Sequence, residues 1–366
     1  MFNNAFFGKR VLITGHTGFK GSWLSIWLHK LGADVVGFSD CIPTNPSIFE
    51  SANLDSYINH RIGDIRNLES LVALVEEVRP DFVFHLAAQA IVSISYESPI
   101  YTISTNVLGT ANVLEALRLT NYPCVAVIVT SDKCYENVEW PWGYRETDHL
   151  GGKDIYSGSK GAAEVIFHSY FHSFFKAGGC NIRLATARAG NVIGGGDWAK
   201  DRIVADCMRN WSNDRPVEIR SPKSTRPWQH VLEPLSGYLT LGAALQSSNQ
   251  LGGESFNFGP RAEQNRTVLN LLADLSSYWD FDNPKDIYDV TADVPFHEAG
   301  LLKLNCDKAL FELKWQSNLN YHECVKFVSE WYYNFYQKDA DVFHMTLNQI
   351  DQYELMAKEK KLIWSS

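Results

Sequence analysis

Tyr156 and Lys160 stand four residues apart at the start of a segment with helical spacing, which runs from Tyr156 to Phe175. Residues at this separation share one face of a helix, so the phenol and the ammonium project in the same direction. A nearby cation lowers the pKa of a tyrosine toward the range in which it acts as a general base. On its own this spacing is common on solvated helix faces. The pair is therefore a candidate catalytic unit only in the company of other polar groups.

A second polar cluster, Ser131-Asp132-Lys133, follows the apolar run from Cys124 to Thr130. Such a run predicts a buried strand, and the carboxyl ends of strands in an open α/β sheet face the ligand crevice. Three polar residues could also end a strand and begin a turn. Because Tyr156 and Lys160 come about one loop later, we favour an active site that uses both groups.

A glycine-rich turn lies between the first predicted strand, Lys9 to Gly15, and the first predicted helix, Phe19 to Leu31. Glycine lets the backbone approach a pyrophosphate, whose charge then rests on the helix N-terminus. The spacing is G-x-x-G-x-x-G rather than G-x-G-x-x-G, and glycines also serve ordinary tight turns. The strand before it and the helix after it favour a dinucleotide site. Its expected binding residues are Gly15, Thr17, Gly18, Phe19, Lys20 and Gly21.

Further candidate cofactor residues follow later strands. Asp40, at the end of the second predicted strand, is placed to accept hydrogen bonds from an adenosine ribose, although it could be an ordinary loop aspartate. An acid there would repel a 2′-phosphate and no pair of arginines stands nearby in sequence, so NAD is favoured over NADP. Two more segments could serve the cofactor or simply form turns. They are Asp64-Ile65 and Ala87-Ala88-Gln89.

The elements that position these groups alternate between strand and helix along the first half of the chain. This pattern predicts an α/β fold, a Rossmann-type doubly wound parallel sheet, with a smaller mixed α/β C-terminal substrate-binding lobe. We expect a dinucleotide-binding domain over residues 1–189, with later segments (about 229–258) returning to it. Residues 190–366 would form mainly the substrate lobe and C-terminal helices. The tail from Glu330 reads as a surface helix.

The composition of the chain excludes several classes of binding partner. Lys and Arg number 33 against 42 for Asp and Glu, a net charge of −9, which gives no general attraction for nucleic acid or an anionic membrane. The seven cysteines are scattered and match no metal-ligand spacing, so we expect reduced thiols and no metal. The first residues lack the features of a signal peptide, and no stretch is apolar for long enough to cross a bilayer. A cytoplasmic protein is the prediction.

The chain resembles the extended short-chain dehydrogenase/reductase superfamily, and within it the nucleotide-sugar 4,6-dehydratases. The segments TGHTGFKG, HLAAQ, TNVLGT, TSDKCY, YSGSK, RAGNVIGGGDW and RPWQHV match in order over nearly the whole chain. The longer forms TGHTGFKGSW, TSDKCYEN, GNVIGGGDWAKDR and RPWQHVLEPLSGY resemble most closely the branch that acts on CDP-glucose. Reading cytosine as the base depends on this resemblance alone. It also adds Asn106, in TNVLGT, to the expected cofactor residues.

The resemblance implies a cycle without net redox change. Tyr156 would take the proton of the sugar 4-hydroxyl while hydride passes from C4 to NAD⁺, and Lys160 would hold the nicotinamide ribose. The 4-ketone acidifies the C5 hydrogen, water leaves from C5 and C6, and hydride returns to C6. Ser131 would bond the 4-oxygen and Asp132 would be the acid. Lys133 stands where many relatives have a glutamate base, so it is either the C5 base or a group that stabilises the enolate.

Substrate contacts follow from the resemblance less directly. Asn191, in RAGNV, matches an asparagine that meets the phosphates of the nucleotide sugar. Arg202 and Arg226 are candidates for the diphosphate, since a guanidinium binds phosphate oxygens in a fork, although either could form a surface ion pair. His297 is a candidate for the nucleotide end, with a loop histidine as the alternative.

Two other functions use the same scaffold. A 4-epimerase or reductase would need Tyr156 and Lys160 but not Asp132 and Lys133, and a non-catalytic NAD sensor would often lack the tyrosine. The acid and the amine favour the dehydratase. In the family, the helices corresponding to Thr105 to Leu119 and Tyr156 to Phe175 meet their copies, so we expect a homodimer through a four-helix interface.

Overall fold

The computed structural model describes residues 1–176, 180–261, 263–279, 281, 287–291 and 301–366. Its strands include apolar runs such as Val11 to Ile13 and Phe82 to Phe84, as expected where strands are buried. They are β1 Arg10–Thr14, β2 Asp34–Ser39, β3 Asn59–Ile62, β4 Phe82–His85, β5 Cys124–Val129, β6 Ile182–Arg188, β7 Val192–Ile193, β8 Val217–Ile219, β9 Thr225–Arg226, β10 Gln229–His230, β11 Ser255–Asn257, β12 Arg266–Thr267 and β13 Tyr288–Val290.

Seven of these strands form one sheet in the order β3-β2-β1-β4-β5-β6-β11, and every neighbouring pair is parallel. The order reverses between β1 and β4, which creates a crevice at the carboxyl ends of these two strands. The predicted doubly wound Rossmann-type sheet is therefore confirmed. Strand β11 comes from the second half of the chain and extends the sheet at the β6 edge.

Helices cover both faces of the sheet. In chain order they are α1 Phe19–Lys30, α2 Ile48–Ser51, α3 Leu68–Val78, α4 Val92–Glu97, α5 Pro99–Ile103, α6 Gly109–Thr120, α7 Ile155–Tyr170, α8 Ile203–Trp211, α9 Leu232–Ser247, α10 Val268–Ser276, α11 Asp307–Leu313, α12 Tyr321–Lys338 and α13 Val342–Glu359. Single π-helical turns, Ser104–Leu108 and Phe171–Phe175, precede α6 and follow α7. No helix of the described residues combines the length and apolar character needed to cross a membrane.

Alternate residues of each strand supply the two cores. Val11 and Ile13 of β1 belong to the core beneath α1 and α9, whereas Leu12 belongs to the core beneath α3, α6 and α7. Successive side chains of a strand point to opposite faces, and a sheet covered on both faces buries both sets. This double cover explains the continuous apolar runs of β4 and β5.

The remaining strands form two-stranded pairs beyond the carboxyl edge of the main sheet: β7 with β10, β8 with β13 and β9 with β12. Helix α9 packs on β5 and β6 before the chain reaches β11. Residues of the predicted segment 229–258 thus lie on and in the main sheet. The division of the chain at residue 189 stays a prediction.

The tail from Glu330 onward is helical, as expected, but the expectation that it lies on the surface is wrong. This part of the chain belongs to α12 and α13, and its aromatic residues Trp331, Tyr332 and Tyr353 are buried. Helix α13 packs on α1, where the Trp27 indole nitrogen donates to Glu354 Oε1 at 2.8 Å. Each of these helices has a charged face toward solvent and an aromatic face toward the core. The charged residues alone suggested a surface helix, because they do not show that the opposite face is buried.

Candidate active site

The glycine turn lies at the crevice, between β1 and α1. Gly15 has φ +78°, and a Cβ there would lie 2.6 Å from the backbone nitrogen of Ala87. A Cβ on Gly21 would lie 2.1 Å from the carbonyl oxygen of Gly15, so this glycine lets the helix start against the turn. Gly18, by contrast, has only the Gly15 carbonyl oxygen within reach of a Cβ, at 3.5 Å. The backbone packs closely against the protein at Gly15 and Gly21, whereas there is space beside Gly18.

The N-terminus of α1 is free of side-chain capping within the described chain, because Gly18 is its N-cap residue. The amides of its first turn are left for a ligand, and the helix dipole favours an anion there. Thr17 supports the turn instead of pointing at a ligand: its hydroxyl donates to the Cys41 carbonyl oxygen at 2.6 Å. Phe19 packs near Gly194, whose Cβ would lie 3.0 Å from the ring. This uncapped, glycine-lined turn fits a dinucleotide pyrophosphate.

Three further predicted cofactor residues follow the outer strands of the sheet: Asp40 comes after β2, and Asp64 and Ile65 come after β3. Asp40 is exposed immediately after β2. Arg66 donates from Nε to Asp64 Oδ2 at 2.8 Å, and this pairing lowers the pKa of the carboxyl. The carbonyl oxygen of the buried Ile65 accepts from the Asn112 amide at 3.0 Å.

Arg66 was not anticipated beside these residues. Its guanidinium lies 5.0 Å from the centre of the Tyr101 ring, and the negative charge of Asp40 acts on it. The sequence analysis found no arginine pair near Asp40, and the structure places this one arginine within electrostatic reach. Its side chain is already paired with Asp64, which agrees with a site that does not need it for a 2′-phosphate.

Ala87, Ala88 and Gln89 follow β4, and Asn106 fixes this segment. The Asn106 side chain accepts from the Gln89 amide at 2.8 Å and donates to the Gln89 carbonyl oxygen at 3.0 Å. It also donates to Ser159 Oγ of α7 at 2.9 Å. Asn106 therefore joins the cofactor edge of the crevice to the helix that bears Tyr156. Its direct contact with a cofactor stays a prediction.

Ser131, Asp132 and Lys133 follow β5, as the sequence predicted, and Ser131 is the N-cap of a single 3₁₀ turn, Asp132–Cys134. The Ser131 hydroxyl donates to Asp132 Oδ1 at 2.9 Å and accepts from the Lys133 backbone amide at 3.2 Å. The Asn191 amide donates to Asp132 Oδ2 at 3.4 Å. A Cβ on Gly190 would lie 2.0 Å from the Asp132 carboxyl, so only glycine leaves room for this buried acid. Lys133 is half-buried beside it.

Tyr156 lies in the same cleft, hydrogen-bonded to the Ser131 hydroxyl. The expected lowering of its pKa by Lys160 is not observed. Burial of the phenol, together with the negative charge of Asp132, raises the pKa of Tyr156 to about 12. The cation that opposes this rise is Arg202, and the Ser131 hydrogen bond opposes it as well. Desolvation outweighs nearby positive charge at a fully buried phenol.

Lys160 lies one turn along α7 from Tyr156, and burial lowers its pKa to about 8. Beneath it, Glu164 forms a buried ion pair with Arg188, with 2.8 Å between Oε2 and the guanidinium nitrogen. Thr186 donates to the same oxygen at 2.9 Å. Glu164 was not among the predicted site residues, although the spacing Tyr156-x-x-x-Lys160-x-x-x-Glu164 places all three on one helix face.

Two of the predicted substrate residues, Asn191 and Arg202, lie near the candidate catalytic groups. Asn191 bonds Asp132, and Arg202 donates to Asp197 Oδ2 at 2.7 Å while its charge acts on Tyr156. Arg226 is buried in β9. His297 lies outside the described residues. Asp197, which the sequence analysis did not select, is the residue that holds Arg202.

Three groups of side chains therefore converge on one cleft: the glycine turn, the Ser131–Asp132–Lys133 segment and the Tyr156–Lys160 pair. Such a site can remove a proton from a hydroxyl, donate one to a leaving group and bind a dinucleotide. The charges of Asp132, Lys160 and Arg202 all act on the Lys20 ammonium of the glycine turn, which confirms that the groups are close together.

Comparisons with known proteins agree with this geometry. The family model for GDP-mannose 4,6 dehydratase matches residues 12–328. A CDP-glucose 4,6-dehydratase from Salmonella typhimurium is 46% identical over 328 residues, covering 89% of this chain and 90% of the relative. The X-ray structure of Pal from Bacillus thuringiensis has a TM-score of 0.75 at 25% identity, covering 89% of this chain and 99% of that one. A dTDP-glucose 4,6-dehydratase from Bacillus anthracis, solved with NAD, has a TM-score of 0.73 at 19% identity, covering 89% and 96%.

Proposed function

The chain belongs to the nucleotide-sugar 4,6-dehydratase family, and on that premise we propose that it converts CDP-glucose to CDP-4-dehydro-6-deoxyglucose with a bound NAD⁺. The observation that supports this best is the convergence of Ser131, Asp132 and Tyr156 in one buried cleft beside an uncapped, glycine-lined helix N-terminus. The choice of CDP-glucose is supported by the name of the Salmonella relative.

The cofactor would be held along the whole crevice. The first-turn amides of α1 would bind its pyrophosphate, Asp40 its adenosine ribose and Lys160 its nicotinamide ribose. NAD⁺, when bound, supplies a hydride acceptor for C4 and later a hydride donor for C6. The protein's own residues must then move protons in step with these transfers.

Tyr156 would remove the proton of the 4-hydroxyl. Its hydrogen bond to the Ser131 hydroxyl and the positive charge of Arg202 both favour the phenolate over the phenol. Ser131 can donate to the 4-oxygen of the sugar, because its hydroxyl rotates between that oxygen and Asp132.

Asp132 and Lys133 would carry out the elimination of water. Asp132 would protonate the departing 6-hydroxyl, and the buried setting that only Gly190 permits keeps this acid in place. Lys133 would remove the C5 proton, which requires an amine that is neutral when it acts. The departing oxygen leaves as water, and the C5 proton is returned after the double bond is reduced.

The substrate diphosphate would be bound by the basic groups beyond the carboxyl edge of the sheet. Arg202 is held by Asp197, and the buried Arg226 is fixed within β9. Guanidinium groups held in this way can receive phosphate oxygens in a fork. Asn191 lies between the acid and this basic region.

Turnover of CDP-glucose with NAD⁺ in heavy water tests the proposal, with mass spectrometry and NMR of the sugar nucleotide as the readout. Loss of water with deuterium at C5 of a 4-keto-6-deoxy product is expected, and Lys133→Ala should then lose C5 exchange. An unchanged mass with galacto stereochemistry would identify a 4-epimerase instead. If CDP-, UDP-, GDP- and dTDP-glucose are all inert, the catalytic proposal fails.

A homodimer in the cytoplasm completes the proposal, with a place in making deoxysugars for bacterial surface polysaccharides such as O-antigen. Apolar side chains on or next to α6 and α7 are exposed, including Leu108 at 50% and Val165 at 52%. Two helices with uncovered apolar positions suit pairing with their copies in a four-helix interface.

A further inference from the structure

A small cavity adjoins the carboxyl of Asp132, the proposed acid. Its polar lining comes from Asp132, Asn191, Gln229 and Lys303, and Gly190 lies between the first two. The cavity has a volume of about 10 Å³, which is about the space that one water molecule or one hydroxyl group needs. A hexose is far larger than this, so the cavity can receive only one group of a bound sugar.

The Gln229 side chain, in β10, is fixed beside this cavity by its own hydrogen bonds. Its amide nitrogen donates to the carbonyl oxygens of Gly190 at 2.9 Å and Phe258 at 3.1 Å, and its backbone amide donates to the Asn191 carbonyl oxygen at 3.1 Å. Because both contacts of the side-chain nitrogen are with acceptors, they identify which end of the carboxamide is the oxygen.

The Gln229 oxygen lacks a donor. The residue is only 2% exposed, and Oε1 is buried with no hydrogen-bond partner in the part of the chain that the structure describes. A buried carbonyl oxygen without a donor is costly to the fold, and such groups are rare in native proteins. This oxygen can only accept a hydrogen bond, so the ligand that satisfies it must carry an O–H or N–H group.

The Asp132 carboxyl connects this acceptor to the reacting part of the sugar. Its Oδ1 accepts from Ser131, the residue proposed to bond the sugar 4-oxygen, and its Oδ2 accepts from Asn191, which lines the cavity. The carboxyl therefore lies between the position of the 4-oxygen and the cavity. In glucose, the ring carbon next to C4 carries the hydroxymethyl group, so the 6-hydroxyl is the group that can enter the cavity.

We propose that this cavity binds the 6-hydroxyl of the hexose, and then the water that it becomes, with Gln229 Oε1 accepting its hydrogen. This inference deepens the proposed function and depends on it. Asp132 would give its proton to the 6-oxygen as the C6–oxygen bond breaks. The C5 base takes the C5 proton, and the electrons of that C–H bond form the double bond between C5 and C6. The departing oxygen keeps the hydrogen that it shares with Gln229, so it leaves as one water molecule.

A cycle between the residue and the ligand atom tests this. Calorimetry on protein saturated with NADH, which cannot oxidise a sugar, gives dissociation constants for CDP-glucose and for CDP-6-deoxyglucose, which lacks only the 6-oxygen. The wild type should bind CDP-glucose about fivefold more tightly, as expected for one hydrogen bond. Gln229→Met, which has no carbonyl oxygen, should bind both ligands alike. Gln250→Met, at an exposed glutamine after α9, should keep the wild-type preference.

Single-turnover kinetics with NAD⁺ give a second readout, because the absorbance of NADH reports the oxidised sugar. Gln229→Met should oxidise CDP-glucose at the wild-type rate, but its NADH should persist longer, since the elimination is slowed. CDP-6-deoxyglucose can be oxidised at C4 but cannot lose water. Its rate of NADH formation should be the same in both proteins, whereas damage to the site as a whole would slow it in Gln229→Met and contradict the inference.

The opposing outcomes of the binding measurements are distinct. A wild type that binds the two ligands equally would overturn the inference and leave Lys303, which lines the same cavity, as the donor to Oε1. If Gln229→Met weakens both ligands but keeps the preference, Gln229 only supports the neighbouring Gly190 and Asn191, and the inference is overturned as well. A wild type that binds neither sugar nucleotide overturns the proposed substrate itself, and that result is seen before any variant is compared.

Discussion

At the scale of single residues, Arg202 is the cation whose charge acts on the phenol of Tyr156, the proposed base. It bonds Asp197, and its positive charge opposes the rise in the pKa of Tyr156 that burial causes. Replacing it with methionine should raise the pKa of Tyr156 further. In a plot of kcat against pH, the limb that reports ionisation of Tyr156 should therefore move to higher pH. The expected shift is about one pH unit if the phenolate loses about 1.4 kcal/mol of electrostatic stabilisation.

The measurement is the pH dependence of kcat at saturating substrate, with Arg202→Lys as the charge-retaining control. The lysine variant should keep the wild-type limb even if its KM rises. A methionine variant with a raised KM and an unmoved limb would restrict Arg202 to binding the diphosphate.

The sequence predicted the positions of the candidate catalytic residues better than their electrostatics. Tyr156 and Lys160 are local neighbours, and helix geometry alone places them on one face. Whether a phenol is buried, and which cation reaches it, depends on contacts between distant segments. Arg202 and Asp197 lie in a stretch without helical or strand periodicity, so no sequence pattern places them beside Tyr156.

At the scale of elements, α7 is fixed to the sheet by the buried pair of Glu164 and Arg188. The Glu164 carboxylate accepts from Arg188 Nε at 2.9 Å and from hydroxyls of Thr130 and Thr186. Glu164→Gln leaves a buried guanidinium without its counter-charge, so we expect about 3–5 kcal/mol less stability. Chemical denaturation of the wild type and the variant measures the loss.

Two further variants check this interpretation. Glu330→Gln breaks the exposed pair with Lys326 on α12 and should change stability by less than about 1 kcal/mol. Adding Arg188→Met to Glu164→Gln should restore part of the lost stability, since no buried charge remains. The loss of stability in the double variant is compared with the summed losses of Glu164→Gln and Arg188→Met. A larger loss in the double variant would show that the shape of the pair matters more than its charge.

Glu233 links α9 to the segment before α12. Its carboxylate accepts from the backbone amides of Asn318 and Leu319, at 2.9 and 2.6 Å, and from the Tyr353 hydroxyl at 3.0 Å. Burial nevertheless raises the pKa of Glu233 from 4.5 to about 7. Between these values the folded protein binds more protons than the unfolded chain, so this carboxyl stabilises the fold fully only below about pH 4.5.

The free energy of unfolding should therefore fall between about pH 4.5 and about pH 7, as the Glu233 contribution is lost. Denaturant titrations at several pH values should show a smaller fall in Glu233→Gln. Glu312→Gln, on the exposed side of α11, controls for the loss of one formal charge. Equal pH dependence in wild type and Glu233→Gln would contradict the assignment.

Most helices and strands of the Rossmann-type sheet were predictable from the sequence, but the packing of the C-terminal helices α12 and α13 was not. Short apolar runs and glycine punctuation identify β1, β4, β5 and α1 because each signal is local. The aromatic residues of α12 and α13 are buried by contacts with distant elements: α13 packs on α1, and α12 packs on β10 and α10. Sequence periodicity cannot supply those contacts.

At the scale of the whole molecule, association through α6 and α7 is the main expectation. Leu108 and Val165 are each about half exposed. Replacing both with glutamate should convert a dimer to a monomer, because two charges would be buried at the interface. Light scattering coupled to gel filtration measures the mass.

Phe311→Glu is the matched control. This side chain is 71% exposed and belongs to α11, which is distant in sequence from α6 and α7. The variant should leave the mass unchanged. A wild-type protein that is monomeric at micromolar concentration would contradict the predicted dimer, and a Phe311→Glu monomer would move the interface to α11.

The contact between α12 and the Arg202 loop affects how the molecule can be shortened. The Tyr332 hydroxyl accepts from the Asp197 amide at 3.1 Å and donates to its carbonyl oxygen at 2.6 Å, while Trp331 packs so tightly on Gly195 that a Cβ there would lie 2.0 Å from the ring. Both aromatic residues lie beyond residue 328, where the family match ends. We therefore expect the minimal active fragment to extend past the family boundary. A truncation chosen at that boundary would remove the support of Asp197, the partner of Arg202, while sparing every strand of the main sheet.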